Sequence, residues 1–459
     1  MRFPYFLTKR SVFMSKTVNM TQGSPLKLLV RFSIPLMFGN VFQQLYTVVD
    51  TAIVGKGVGM DALAALGGVD WLNWMMLGIA QGFTQGFSVR IAQKFGENDK
   101  DGMRRFMGQS ALASAVLALL CLLLGQLLLP FFLTILRVSP ELQPLASRYT
   151  RIIMAGLPAV FFFNYCSSML RAVGDSKTPL VAMATASVVN IALDIIAVFP
   201  LNMGIAGAAI ATIIAQILSG VICVVKICRL PELRFDKRDV LPHRAALKNL
   251  MNIGLPGAGK NILVSLGGMA VMSVVNTCGT AFIAGFTASN KLYGLLEIAA
   301  LSYGCAIVTY VGQNYGAMRF DRIKAGMKSA TVLAVFTAVG IAALMFLLGR
   351  PITMLFISTE NPADAVIAGD IAYRYLCVMA SCLPVLYILY LLLFALQGLG
   401  DTLRPMYSGL IELVLRLLVA GAVSYTGYHM GIFGAESAAW IGATVYLTFH
   451  FRKRMKQEI

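Results

Sequence analysis

Long apolar runs separated by short polar connections recur along the whole chain. Each holds about 20 residues or more, the length at which an α-helix crosses the hydrocarbon core of a bilayer. Twelve are read, at 28–54, 62–89, 103–129, 142–164, 178–199, 204–226, 249–275, 282–311, 325–348, 368–394, 405–426 and 432–451. The pattern predicts an all-α integral membrane protein with twelve transmembrane helices.

The runs come in two sets of six that echo each other. FSIPLMFGN in the first run returns as IGLPGAGKN in the seventh, pairing Pro35 with Pro256 and Asn40 with Asn261. AQKFG closes the second run and GQNYG the eighth, pairing Gln93 with Gln313 and Gly96 with Gly316. GDSKTP returns as GDTLRP, and MGIAGAA as MGIFGAE, at offsets that stay between 220 and 227 residues. Six spans are an even number, so both copies start from the same membrane face. The repeat is parallel, and it predicts two pseudo-symmetric six-helix bundles of the kind that transporters rock against each other. The boundaries expected are an extension at 1–27, an N-lobe at 28–228, a basic linker at 229–247, a C-lobe at 248–451 and a tail at 452–459. The segment GLPGAGKN (254–261) approaches a phosphate-binding loop, but no strand precedes it and Asn261 stands where the hydroxyl belongs. Its glycines suit close helix packing, and Pro256 a helix start or kink.

Composition agrees: the 459 residues are 58% hydrophobic and 13% charged. The net charge of +17 raises the question of a nucleic-acid partner. Most of the 38 basic residues, however, lie in alternate connections, from the leader through Arg90–Arg105, Lys226–Lys248 and Arg319–Lys328 to the tail. This asymmetry is a topology signal that places both termini in the cytoplasm of a cell-membrane protein. No nucleic-acid partner is expected. The leader has no signal-peptide pattern, and the eight cysteines read as small apolar packers.

Against this background, ionisable residues within the runs are functional candidates, because a charge at the bilayer centre costs at least ~2.5–3.5 kcal/mol. Asp70 and Glu436 read as carboxylates that snorkel to water. Asp50, Asp194, Glu297, Glu412 and Arg416 remain, with Lys260 and Lys291 as further cations. Asn190 lies one turn before Asp194, and Gln43, Tyr46 and Asp50 form a stripe on the first span. Thr212 on the sixth span reaches a comparable depth. Asp50, Asn190, Asp194 and Thr212 therefore form a candidate coupling-ion site, whose oxygens suit Na⁺ or H⁺ equally. The second half lacks this set. It offers instead the stripe Asn290, Tyr293, Glu297, and Glu412 spaced to pair with Arg416 on its own helix. Gln43, Tyr46 and these five are candidates for a substrate cavity or relay.

The sequence resembles the bacterial branch of the multidrug and toxic compound extrusion (MATE) transporters. The resemblance rests on QGSPLKLLVRFSIPLMFGN, LYTVVDTAIVG, AQKFGEND, LRAVGDSKTP, NIALDIIAVF with GIAGAAIAT, and VGQNYGA followed by LQGLGDTLRP. It implies a V-shaped pair of bundles and an antiporter that expels organic cationic drugs in exchange for Na⁺ or H⁺. It also implies a cation site at Asp50, Asn190, Asp194 and Thr212, with Gln43 and Tyr46 nearby, and a role for Glu297. No cofactor is expected, and the chain is expected to work as a monomer. A related flippase of lipid-linked saccharides is the alternative, but its polyanionic cargo calls for basic residues where this chain leans acidic. An intramembrane enzyme would need a nucleophile–base pair or metal triad, and the three histidines are scattered.

Overall fold

Pro25 opens the first helix from its first turn, where a missing backbone N–H costs nothing. The computed structural model describes residues 17–136, 138–354, 357 and 362–457. Residues 1–16 of the expected extension and 458–459 of the tail lie outside them.

The first half of the chain forms α1 (Pro25–Gly57), α2 (Met60–Glu97), α3 (Lys100–Ile135), α4 (Gln143–Ala155), α5 (Leu157–Ala172), α6 (Lys177–Val198) and α7 (Ile205–Arg229). A short helix, α8 (Lys237–Val240), lies in the linker. The second half forms α9 (Arg244–Val275), α10 (Thr280–Leu296), α11 (Ile298–Gly316), α12 (Phe320–Met354), α13 (Pro362–Gly398), α14 (Leu403–Thr426) and α15 (Gly434–Gln457). Helices cover all twelve predicted runs. Four run past the expected boundaries: α1 begins within the extension, α7 ends at the first residue of the linker, α9 begins within the linker at Arg244, and α15 continues through the basic tail to Gln457. Among the described residues, nine helices are long and apolar enough to cross a membrane, with α10 and α11 taken as one span. Pairing α4 with α5 makes a tenth; the two are bent by 43°, beside Pro158, which has no N–H to give the ladder. The runs at α2 and α15 are helical but more polar, α2 through Asp61, Asp70, Gln81 and Gln85.

Each half contributes most of one core, and Leu29, Phe32 and Leu36 of α1 join the core of the second half. In the first, Phe161, Cys166 and Met169 of α5 pack with Met103 and Met107 of α3. In the second, Tyr375, Met379 and Leu383 of α13 pack with Ala330, Ala334 and Ala338 of α12. The linker is pinned to α3, where Gln109 donates to the carbonyls of Asp239 and Leu241, both at 2.7 Å.

The two bundles meet where α2 packs along α9 and crosses α11. The motif GLPGAGKN lies inside α9, where Gly257 abuts Gly82 of α2; Pro256 is an interior residue, not a helix start. At the crossing, the two copies of the repeated motif touch. Gly96 lies against the backbone of Gln313, and Gly316 against the backbone of Gln93, with no room for a Cβ at either glycine. Gln93 also donates to the Gly398 carbonyl at 2.9 Å. A strap of residues ahead of α1 reinforces this end. Val18 donates to the Val173 carbonyl at 3.1 Å in one bundle, and Met20 N donates to Gln313 Oε1 at 2.7 Å in the other. The Met20 side chain is fully buried.

Candidate functional site

The register of three helices decides what faces Asp194. α1 and α6 run parallel: Gly39 sits against Leu180 and Met183, Ser187 Oγ donates to the Phe42 carbonyl at 3.3 Å, and Gly57 meets Val198. Asp50 therefore lies level with the turn between Asn190 and Asp194. α7 runs antiparallel to α6. Gly207 abuts Ala197, and Ser219 Oγ donates to the Ala182 carbonyl at 3.4 Å, which brings Thr212 level with Asn190.

Asn190 and Asp194 are completely buried. Among the described residues, neither amide atom of Asn190, neither oxygen of Asp194 and not Asp50 Oδ1 has a hydrogen-bond partner. Asp50 and Asp194 are close enough for their charges to interact. Tyr46 lies beside Gln43 and within the field of both carboxylates. Two residues absent from the sequence reading join this neighbourhood. Tyr149 of α4 feels Asp50, Asp194 and Tyr46, and Gln216, one turn beyond Thr212, has a buried, unpartnered Oε1. Gln216 stands at i+4 from Thr212, a visible spacing; Tyr149 sits in a short run whose packing the sequence does not disclose.

Such a cluster has a defined chemistry. Two carboxylates without donors, in a low-dielectric interior, are strongly disfavoured together unless a cation or proton joins them. Amide and hydroxyl oxygens complete a ligand set of hard oxygens. Among the described residues no group of three or more His, Cys, Asp or Glu side chains is placed to hold a metal.

In the second bundle the stripe Asn290, Tyr293, Glu297 faces inward, toward α13 and α15. Tyr375 donates to Asn290 Oδ1 at 3.4 Å, and Tyr293 stacks on Trp440 with centroids 5.6 Å apart. Glu297 stands at the junction of α10 and α11, where its Oε2 accepts from the Tyr390 hydroxyl at 3.1 Å. Lys260 Nζ lies 5.9 Å from the centroid of the same Tyr390 ring. Lys260 also borders a cavity of about 30 Å³ between the bundles, shared with Gln85, Asn261, Gln397 and Thr402.

The reading of Glu436 as a snorkelling carboxylate is corrected. Arg416 reaches Glu412 at 3.4 Å, as the i, i+4 spacing predicts. Its closer partner is Glu436 of α15, held by two bonds: Nη2 to Oε2 at 2.7 Å and Nε to Oε1 at 3.0 Å. A fork of parallel bonds outcompetes a single longer one, so the pair ties α14 to α15.

The fold and its buried carboxylates define a two-bundle membrane transporter. A family model described as MatE matches this chain twice, over residues 35–196 and 256–421, once in each repeat. The probable multidrug resistance protein YpnP of Bacillus subtilis (strain 168) is 30% identical over 93% of this chain and 92% of its own. The probable multidrug resistance protein NorM of Thermotoga maritima is 25% identical over 92% of this chain and 90% of its own. A solved structure, described as the outward-facing conformation of a multidrug resistance MATE family transporter, superposes with a TM-score of 0.89. It is 25% identical over 97% of this chain and 99% of that one. The chain belongs to the MatE family: it is a multi-pass multidrug transporter and not an enzyme.

Proposed function

We propose that this transporter is an antiporter that expels organic, mainly lipophilic cationic compounds in exchange for Na⁺ or H⁺. Asp50, Asn190, Asp194 and Thr212 form the coupling-ion site, with Gln43 and Tyr46 beside it. Glu297, with Asn290 and Tyr293, and the Glu412–Arg416 pair form a second polar centre that relays charge within the C-lobe. The observation that carries the reading is the complete burial of Asn190 and Asp194 with, among the described residues, no partner on any of their four side-chain polar atoms. The basic connections support a cell-membrane orientation with both termini cytoplasmic. The protein acts as a monomer without a resident cofactor.

An ion that binds the folded protein stabilises it, by about 2.7 kcal/mol at a concentration 100 times its Kd. Unfolding of the detergent-solubilised protein, followed in Na⁺ against a large organic cation and across pH, tests the site directly. Stabilisation by Na⁺, or by acidification, is expected in the wild type and absent in Asp194→Asn. An identical response in both proteins contradicts the assignment.

A further inference from the structure

α5 ends at Ala172 and α13 at Gly398, and the last carbonyls of a helix have no partner within it. At the end of the seam where the strap lies, two buried glutamines of the repeated motif take these carbonyls across the bundles. Gln93 Nε2 donates to the Gly398 carbonyl at 2.9 Å, and Gln313 Nε2 to the Ala172 carbonyl at 2.8 Å.

The two amides are held in different ways. Gln93 Oε1 accepts from Arg90 Nη1, one turn earlier on its own helix, at 2.7 Å. The corresponding residue of α11 is Tyr310, whose hydroxyl donates to the Arg322 carbonyl at 2.8 Å. The strap supplies what α11 lacks: Gln313 Oε1 accepts from Met20 N at 2.7 Å. A backbone N–H only donates and a carbonyl only accepts, so these two contacts fix which way the Gln313 amide points.

The strap is fastened unequally. On the second bundle, the Met20 carbonyl accepts from Asn314 Nδ2 at 3.2 Å and Arg322 Nη2 at 3.1 Å, and the Thr21 carbonyl accepts from Arg319 Nη1 at 3.0 Å. The Met20 side chain is buried in the core of that bundle. On the first bundle, Val18 N donates to the Val173 carbonyl at 3.1 Å. That carbonyl is the neighbour of the one Gln313 takes. Beside it, Gly174 lies so close to the strap that a Cβ would strike the Val18 carbonyl.

We infer that residues 18–21 and Gln313 form one latch. The second bundle carries it, and it grips the end of α5 through Val18 N and the Gln313 amide. Met20 N keeps that amide set for closure. When this end of the seam opens, the latch parts at Ala172 and Val173, so its strength sets how readily the end opens. The inference rests on the reading of the protein as a transporter whose bundles alternate access.

The repeat provides a matched pair of variants. Gly174 and Gly400 occupy the same place in GDSKTP and GDTLRP, with φ of +85° and +82°. Alanine is strained alike at both, but only at Gly174 does its methyl group displace the strap; at Gly400 the nearest atom is 3.5 Å away. The reporter is a cysteine at Ala92, which faces Gly312 at this end of the seam, in the full chain without its eight native cysteines. Gly174→Ala should make it react about fivefold faster with a polar thiol reagent, the factor for losing one hydrogen bond of ordinary net strength. Gly400→Ala should leave the rate unchanged. Gln313→Met, which keeps the volume and removes the second grip, should accelerate labelling as Gly174→Ala does. Equal rates in the two alanine variants, or no acceleration in Gln313→Met, overturn the latch. Gly174→Ala should also lower the KM for drug offered at this end, because less of the protein is closed there. An unchanged KM beside faster labelling overturns its place in the transport cycle. If the parent protein moves no drug, the transport reading falls, while the labelling rates still decide whether the latch exists.

Discussion

Arg416 holds Glu436 through two hydrogen bonds, at 2.7 and 3.0 Å, while Glu412 one turn away receives a single bond at 3.4 Å. Both members of the stronger pair are sheltered, Arg416 almost completely. Removing one partner of a buried pair leaves an uncompensated charge, which costs ~3–5 kcal/mol. Glu436→Ala is therefore expected to cost about 3 kcal/mol, since Glu412 offsets part of the loss. Glu412→Gln should cost less. Thermal unfolding of the two purified variants checks the order; a larger effect for Glu412→Gln contradicts it.

The bundle crossing makes a symmetric prediction. Gly96→Ala and Gly316→Ala each drive a methyl group into the partner's backbone, at an expected cost of ~1–3 kcal/mol. Gly340→Ala, on α12 with open space around it, should be neutral or stabilising by up to ~1 kcal/mol, from helix propensity alone. Melting temperatures of the three variants separate seam from surface.

Met20 ties the strap to the second bundle, as Val18 ties it to the first. Met20→Ala is expected to cost ~2–4 kcal/mol, as large-to-small changes at buried sites do. It should also loosen the end of the seam where Ala92 faces Gly312. A cysteine at Ala92 in a background without the eight native cysteines should then react faster with a polar thiol reagent. An unchanged rate means that the strap does not hold this end closed.

Asp194→Asn makes a prediction of opposite sign for stability. The carboxylate has no donor among the described residues, so its neutral isostere removes a buried charge without breaking a bond. The variant should fold at least as well as the wild type when no coupling ion is present. A loss of more than about 1 kcal/mol would mean that Asp194 serves the fold, since substitutions free of a structural role stay within ~0.5 kcal/mol.

Apolar periodicity over some 20 residues made the helices legible, and the duplication made the two bundles legible. Pairs such as Gln93 with Gln313 even marked the residues that meet at the crossing. Asn190 and Asp194 were readable because a polar atom in an apolar helix has few innocuous explanations. What escaped was cross-helix partnership. Glu436 looked like an end-of-helix carboxylate because nothing in α15 reveals that Arg416 lies beside it. Tyr149 lies on α4, and which helices α4 meets is a property of packing.

The central claim is that Asp194 couples ion entry to drug exit. It is tested most directly in proteoliposomes loaded with a fluorescent lipophilic cation, with Na⁺ and pH gradients imposed one at a time. Wild-type efflux driven by one gradient, and its loss in Asp194→Asn with the protein still folded, is the expected result. Gradient-driven efflux by Asp194→Asn at the wild-type rate would contradict the account.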